Sequence, residues 1–442
     1  MQAQVAPDCS HAHPLRLPTA HAAGLPNMER LAPPIPLLSF LHRGCDDSGT
    51  ERAMTQLLDA KPVASSMTAP PPPDTRTLVT WELDPQAFRS EHEHATRNDF
   101  ARRLAVLKGC AYIGPYDERR PYVQAPYFVP SDTVTDARLA GAMGIAGVDD
   151  LFGGVVPHAF IATKAISHPV VGADAPRPPG WCARFASEIE GTALNGFSCF
   201  SRDEARRAGR ELLGTGTVRI KPVCATGGRG QTVARDADAL DRCVDAMDEA
   251  DVGTHGVVIE ENLERPATYS VGQVIVERMV VSYCGRQRLT RDNSGVEVYG
   301  GSDLTLVRGD FEALLAATHL AQPLRHAIDQ ARRYHRAVVD CYPGFFASRV
   351  NYDVAQGPGH GGAWRSGVLE QSWRVGGATG AEIAALEFFR EDPARSGVRA
   401  STVEVYGPAR VPAHAIVSYQ GVDPEVGPIA KYTLLEPHAD TP

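Results

Sequence analysis

The chain has 442 residues, 43% hydrophobic and 22% charged, with a formal net charge of -9. This length predicts two or three compact units, since domains usually run to ~100–200 residues, and the composition excludes fibrous and wholly disordered classes. The acidic balance argues against nucleic acid as a partner, and no apolar run reaches the ~18 residues of a membrane span. Nine cysteines without a CxxC pair argue against a zinc knuckle or a disulfide framework and predict a reducing, cytoplasmic location.

The N-terminal segment is rich in proline and alanine and closes with the proline tract Pro70–Pro73. Because it lacks the apolar periodicity of a folded unit, we predict a disordered tail over residues 1–74. The folded part of the chain is expected to begin near residue 75.

Strand and helix patterns alternate over residues 75–160. Such alternation predicts a small α/β domain with a parallel sheet. The predicted elements are strands at Leu78–Trp81, Cys110–Ile113 and Tyr127–Val129, and helices at Glu91–Leu107 and Asp136–Met143.

A second alternating region covers residues 161–395, where a sheet is expected beside a glycine-rich loop. The predicted strands are Val218–Lys221, Val257–Glu260, Ser270–Val276, Phe346–Val354 and Gly367–Gln371, and the predicted helices are Arg202–Leu213, Ala237–Glu249 and Phe311–Val339. Residues 396–442 are predicted as a β-rich C-terminal segment.

The clearest motif begins at Lys221, where a strand that ends in lysine leads directly into the glycines before Gln231. Glycine lets backbone N–H groups approach phosphate oxygens, while lysine supplies a compact positive charge. The motif is not a Walker A loop, because the chain contains no Gly-Lys dipeptide. Taken alone, it is equally consistent with a phosphate site and with a glycine-rich hairpin turn.

Acidic and amide residues follow the apolar strand that starts at Val257 and leads to Leu263. A strand that ends in this way can bind the edge of an adenine through its backbone and a ribose hydroxyl through a carboxylate. A buried strand meeting a solvated turn is the alternative interpretation.

Two acidic residues, Asp353 and Glu370, lie on predicted strands. Mg²⁺ prefers oxygen ligands and usually binds through one or two carboxylates plus substrate phosphates. Strand alternation places Glu370, Ser372 and Arg374 on one face, so they can line the same cleft. An exposed hairpin face, with the arginine as a salt-bridge partner of the glutamate, is the alternative.

In this order the three motifs resemble the ATP-grasp superfamily, over residues 161–395. The family has a lysine and glycine loop, then an adenine hinge of the form Glu-x-x-Leu, then acidic strands that end in Glu-x-Asn-x-Arg. The loop is similar to that of biotin carboxylase. Two positions depart from the family pattern: Ser372 stands where the family has a metal-binding asparagine, and Thr268 lies near its usual ribose-binding glutamate.

The resemblance implies an ATP-grasp fold of mixed α/β and α+β type, preceded by the small α/β domain and the disordered tail. It also implies roles for individual residues. Lys164 matches an upstream lysine that the family has at a strand end. ATP would be bound by Lys164, Lys221, Gly227, Gly228, Arg229, Gly230, Glu260, Glu261, Asn262 and Leu263. Mg²⁺ or Mn²⁺ would be bound by Asp353, Glu370 and Ser372.

The function implied by the resemblance is that of an ATP- and Mg²⁺-dependent ligase acting on small-molecule carboxylates and amines. Arg374 would steady the transferred phosphoryl group, and Arg288, Arg291 and Arg349 are candidates for the acceptor side. A biotin-carboxylase-like reaction on bicarbonate and a non-catalytic ATP-binding protein are the alternatives. Assembly into a homo-oligomer stays open.

Overall fold

Four β-sheets organise the part of the chain that the computed structural model describes, which is residues 76–84, 90–224, 230–317 and 320–436. The predicted tail over residues 1–74 lies outside these residues, as do Gly227, Gly228 and Arg229 of the glycine loop. Among the described helices, none has the length and hydropathy needed to cross a membrane.

The strands within these residues are β1 (Thr77–Trp81), β2 (Ala111–Pro115), β3 (Tyr127–Pro130), β4 (Gly154–Val155), β5 (Gly196–Cys199), β6 (Val218–Pro222), β7 (Thr232–Ala234), β8 (Val257–Glu261), β9 (Ala267–Val276), β10 (Met279–Arg291), β11 (Glu297–Arg308), β12 (Phe346–Ala347), β13 (Arg349–Pro358), β14 (Trp364–Ser372), β15 (Gly397–Tyr406), β16 (Ile416–Asp423) and β17 (Gly427–Glu436). The α-helices are α1 (Glu91–Lys108), α2 (Ala137–Ala142), α3 (Ala183–Glu188), α4 (Arg202–Leu213), α5 (Ala237–Asp245), α6 (Glu249–His255), α7 (Phe311–Ala316), α8 (Gln322–Cys341) and α9 (Thr379–Glu391).

A three-stranded sheet in the order β2-β1-β3 forms the predicted small α/β unit. Both strand pairs are parallel. Helix α1 buries Phe100 and Leu104 together with Leu78 of β1, and it ends at Gly109, whose left-handed conformation favours glycine. The predicted parallel sheet with a helix packed on it is confirmed.

A four-stranded antiparallel sheet in the order β5-β8-β6-β7 carries two of the sequence-predicted site residues. Lys221 lies on β6 and Glu260 on the adjacent β8. Helices α4 and α5 bury their apolar residues, such as Ala208 and Leu240, against this sheet. The sheet is therefore a rigid platform for the lysine.

The largest sheet is antiparallel, with eight strands in the order β14-β13-β9-β10-β11-β15-β17-β16. Helices α7 and α8 pack in one apolar cluster with its strands, and α1 and α9 pack in another. Asp353 and Glu370 lie on the neighbouring strands β13 and β14. The predicted β-rich C-terminal segment contributes β15, β16 and β17 to this same sheet.

Several elements differ from the sequence prediction in their length. The helix predicted at Phe311–Val339 is two helices, and Pro323 lies at the start of the second, where proline is best tolerated. The helix predicted at Ala237–Glu249 ends earlier, at Asp245 of α5, and a separate helix, α6, begins at Glu249. The Arg-rich stretch Tyr283–Asp303 is the centre of the long hairpin β10–β11. The mixed α/β and α+β class is nevertheless confirmed.

Candidate functional site

A cleft of about 490 Å³ lies between the four-stranded sheet and the β13–β14 end of the eight-stranded sheet. Lys221 and Glu260 line it from the first sheet, and Asp353, Glu370 and Ser372 line it from the second. The volume suits a small-molecule ligand, since such pockets usually enclose ~300–1,000 Å³. Folding thus brings together residues that are far apart in the sequence.

Lys221 is buried on the side of the cleft formed by the smaller sheet, where its ammonium pairs with the carboxylate of Glu260. The second oxygen of this carboxylate lies 3.3 Å from Nε2 of His168, which is also buried. Burial alone would raise the pKa of Glu260, but the Lys221 ammonium and the His168 contact outweigh it and lower that pKa to about 2. Glu260 therefore stays ionised and fixes the position of the lysine.

Lys164 adjoins the cleft through Glu370, and it lies on a different kind of element than predicted. It begins a 3₁₀ helix, Lys164–Ser167, rather than ending a strand, because Thr163 caps this turn by accepting a hydrogen bond from the Ala165 N–H. Its Nζ lies 3.0 Å from Oε2 of Glu370. A cation and a carboxylate from distant segments therefore meet in the cleft.

The predicted adenine hinge follows β8 directly, but its polar side chains are engaged within the protein. Glu261 accepts a hydrogen bond from the Asn195 N–H at 3.0 Å and lies near Arg365, and Asn262 accepts hydrogen bonds from Arg219. Leu263 instead faces the cleft. It belongs to a small apolar cluster with Leu194, Ala355 and Leu369, which offers a flat aromatic ring a hydrophobic contact surface.

The two acidic strands place Asp353 directly opposite Glu370 in the antiparallel register of β13 and β14. The Ser270 hydroxyl donates to Oδ1 of Asp353 at 3.2 Å, and Gln287 donates to Ser270 in turn. Burial, reinforced by the neighbouring Glu370 carboxylate, raises the pKa of Asp353 to about 6. A cation between these carboxylates would relieve their mutual repulsion.

Arg349 lines the cleft but is fully committed to the protein. Its guanidinium forms a bidentate ion pair with Glu382, and both groups are almost completely buried. The remaining Nη1 donates to the backbone oxygen and the hydroxyl of Ser372, at 3.2 and 3.3 Å. Its donors hold Glu382 and Ser372, and the acceptor-side role predicted for Arg349 stays a prediction.

The other predicted arginines occupy different places. Arg374 follows β14 and lines the cleft, with its Nε 3.2 Å from Oδ1 of Asp132. Arg288 lies on the β10–β11 hairpin, 3.4 Å from Asp303 and bonded to a backbone oxygen of β15, and the exposed Arg291 donates to the hairpin turn. Gly230, the described glycine of the predicted loop, has a positive φ of 69°.

The donor set of the cleft fits a hard divalent cation. Among the described residues, no group of three or more His, Cys, Asp or Glu side chains is arranged as a metal cluster. Two carboxylates are present instead, with the Ser372 hydroxyl and the Asn351 amide beside them. Mg²⁺ usually binds through one or two carboxylates together with phosphates, so these residues suit a metal that arrives with a nucleotide.

A second cavity, of about 470 Å³, shares part of its wall with the cleft. The shared residues include Tyr299, Arg374 and Gly377. Helix α1 and the C-terminal strands complete this cavity, which also contains the ion pair of Lys431 with Glu404 at 3.3 Å. Its wall therefore presents both cationic and anionic groups beside the end of the cleft that holds Arg374.

Sequence reasoning missed His168, Asn351 and the whole second cavity. His168 lies 92 positions from Glu260 and has no motif around it. Asn351 falls between the recognised Arg349 and Asp353, so the one available signal was its alternation with Asp353 along the strand.

Two facing sheets, with a strand-borne lysine on one and paired acidic strands on the other, carry the motifs by which the sequence resembles the ATP-grasp superfamily. The chain itself belongs to the sequence family described as "Protein of unknown function (DUF3182)", which matches residues 80–433. No curated protein matches the chain.

Solved structures to which this chain is similar include three enzymes. Biotin carboxylase from Campylobacter jejuni, in its beta-gamma-ATP complex, has a TM-score of 0.48 and 9% identity over 82% of this chain and 87% of the other. N5-carboxyaminoimidazole synthetase from Staphylococcus aureus, complexed with ADP, has a TM-score of 0.47 and 9% identity over 82% and 94%. Phosphoribosylamine–glycine ligase from Thermotoga maritima has a TM-score of 0.42 and 15% identity over 82% and 92%. At such low similarity, the roles of individual residues depend on this chain's own geometry.

Proposed function

We propose that this protein is an ATP- and Mg²⁺-dependent ligase that activates a small carboxylate as an acyl phosphate for attack by an amine or similar nucleophile. The observation that carries the proposal is a buried lysine and two strand carboxylates in one ligand-sized cleft. Lys221 brings positive charge to it, Asp353 and Glu370 bring oxygen donors, and Lys164 adjoins it through its ion pair with Glu370. The apolar cluster around Leu263 provides a place for the nucleobase.

The proposed reaction has two balanced steps. A carboxylate oxygen of the substrate attacks the terminal phosphorus of ATP, the bond from that phosphorus to the bridging oxygen breaks, and ADP leaves. The amine nitrogen then attacks the acyl carbon, the carbon–oxygen bond to phosphate breaks, and inorganic phosphate leaves while the nitrogen loses a proton. Mg²⁺, when bound, neutralises negative charge on the phosphates during the first step.

Each side chain has a definite task in this scheme. Lys221, held by Glu260, presents a fixed cation to the phosphates, and Lys164 presents a second one near Glu370. Arg374 lies where the cleft meets the second cavity, so its guanidinium is placed to stabilise the phosphoryl group during transfer. Arg349 acts indirectly, by holding Ser372.

We assign the carboxylate and amine substrates to the second cavity. It adjoins the cleft at Arg374, and it carries opposite charges in the pairs Arg374–Asp132 and Lys431–Glu404. A ligand with both anionic and cationic groups would find partners for each of them there. This assignment replaces the predicted acceptor site on the hairpin residues Arg288 and Arg291.

The first experiment is calorimetric titration of ATP and Mg²⁺ into the full chain, followed by a screen of carboxylate and amine pairs for ADP release. We expect ATP to bind, Lys221→Met to abolish binding, and certain pairs to stimulate ADP release. Absence of ATP binding by folded wild-type protein would refute the proposal. Stimulation by bicarbonate alone would favour the carboxylase-like alternative, and ATP binding without stimulation by any pair would favour the non-catalytic one.

Two matched variants test where the substrates bind. Lys431→Met should retain ATP binding but raise the KM of the co-substrate, since Lys431 lies in the second cavity. Arg291→Met should leave both unchanged, because Arg291 is exposed on the hairpin. The reverse pattern would place the acceptor along the hairpin.

A further inference from the structure

The phenol of Tyr283 has two hydrogen-bond neighbours but one hydrogen to donate. Its oxygen lies 2.6 Å from Oε1 of Glu382 and 2.9 Å from the amide oxygen of Asn351. Glu382 is held by the bidentate guanidinium of Arg349, so it is a carboxylate and can only accept. The Tyr283 hydrogen therefore goes to Glu382, at the shorter distance.

This assignment sets two demands on the Asn351 side chain, one from Tyr283 and one from Asp353. With its hydrogen given to Glu382, the Tyr283 oxygen can only accept, so turning the Asn351 amide nitrogen toward Tyr283 satisfies it at the expense of the bond from that nitrogen to Asp353 at 2.9 Å. The two amide atoms are nearly indistinguishable in shape, and hydrogen-bond partners decide between the two orientations. Turning the amide over places its oxygen toward Asp353, at the 2.9 Å position otherwise given to the nitrogen.

In the turned orientation two oxygen acceptors, one from Asn351 and one from Asp353, face each other, and a bound cation takes the place of the hydrogen bond that Asn351 donates to Asp353 in the metal-free protein. The hydroxyl of Ser270 already donates to the same Asp353 oxygen and is itself supplied by Gln287. Adjacent ligands of an octahedral Mg²⁺ ion, each ~2.1 Å from the metal, lie about 3 Å apart. The spacing of the two oxygens therefore matches one edge of such a coordination shell.

The strand register explains why the asparagine lies at this position. Asn351 is directly opposite Ser372, the residue that stands where the ATP-grasp pattern has its asparagine. Ser372 is bound through its own oxygens by Arg349. We propose that Asn351 supplies the amide oxygen that binds the divalent cation, so that this ligand has moved from β14 to the facing residue of β13. The inference rests on the proposed function, since it concerns the metal of that same site.

The test is a titration of the full chain with Mn²⁺, with and without a non-hydrolysable ATP analogue. The electron paramagnetic resonance signal of the free ion measures how much Mn²⁺ remains unbound. Asn351→Leu should weaken Mn²⁺ binding about tenfold or more, and Tyr283→Phe, which removes the partner that orients the amide, about tenfold. Ser372→Ala should change it by less than about threefold. The double variant Asn351→Leu/Ser372→Asn should regain affinity.

These outcomes separate the ligand assignment from the wider function. Equal Mn²⁺ affinity in wild type and Asn351→Leu, or loss of affinity in Ser372→Ala alone, would overturn the assignment of Asn351 while leaving ATP binding intact. Loss of nucleotide binding by the wild type would instead refute the proposed function, and the nucleotide-free titration would still report the metal ligands. Circular dichroism of each variant excludes misfolding, and restoration by Ser372→Asn excludes it independently.

Discussion

Replacing Lys221 by methionine removes the ammonium from a buried group of three side chains while keeping a chain of similar length. The Glu260 carboxylate, which is 1% exposed, would then retain only His168 as a partner. Breaking a buried ion pair at one end usually costs ~3–5 kcal/mol, because the remaining charge is left without compensation. We therefore expect Lys221→Met to lower the free energy of unfolding by about 3–5 kcal/mol.

The pH dependence gives an independent check on this magnitude. The pKa of Glu260 falls from 4.5 to about 2 in the native state, which corresponds to roughly 3 kcal/mol of stabilisation. Because the native pKa is depressed, this stabilisation is present above about pH 4.5 and is lost as the pH falls toward 2. Lys221→Met should lose most of this acid dependence.

Urea unfolding followed by tryptophan fluorescence measures both effects. Glu260→Gln and the double variant Lys221→Met/Glu260→Gln complete a double-mutant cycle, and the double variant should be less destabilised than the sum of the two single variants. If the free energy of unfolding of Lys221→Met were within about 1 kcal/mol of the wild-type value and the cycle showed no coupling, the ion pair would not anchor the lysine.

Three further predictions use the same unfolding assay. Gly377→Ala should lower the free energy of unfolding by about 1–3 kcal/mol, because a methyl group there would lie 2.5 Å from the Tyr299 ring. In the control Gly376→Ala the nearest atom is at an ordinary contact distance of 3.6 Å. Equal effects of the two substitutions would contradict this prediction. Asp353→Asn should stabilise the metal-free protein by about 1–3 kcal/mol near neutral pH. Because the native pKa of Asp353 is raised from 3.8 to about 6, its ionisation lowers stability as the pH rises from about 3.8 to about 6, and the loss persists above that range. A destabilised variant would contradict this. Arg349→Met should cost about 3–5 kcal/mol by leaving a buried glutamate of α9 without its cation, and a near-neutral effect would contradict this.

Local sequence patterns were sufficient to predict the main elements of this fold. The alternation of apolar residues located β1, α1, β6, β8 and β9 close to their observed bounds. The order of lysine, hinge and acidic strands was sufficient for the ATP-grasp prediction, because each of these motifs lies within a few neighbouring residues. The sequence prediction missed the helix break before Pro323. The apolar periodicity continues across this break, and the prediction did not treat the proline as the start of a new helix.

The sequence by itself thus determined which residue types meet at the described cleft, namely a strand lysine and acidic strand residues. Only the tertiary structure decided how they are used. His168 meets Glu260, Arg349 is taken by Glu382, and the second cavity forms between α1 and the C-terminal strands. These contacts join residues distant in the chain, and a buried charge or hydrogen-bond donor acquires its role from whichever partner the folded sheets place beside it.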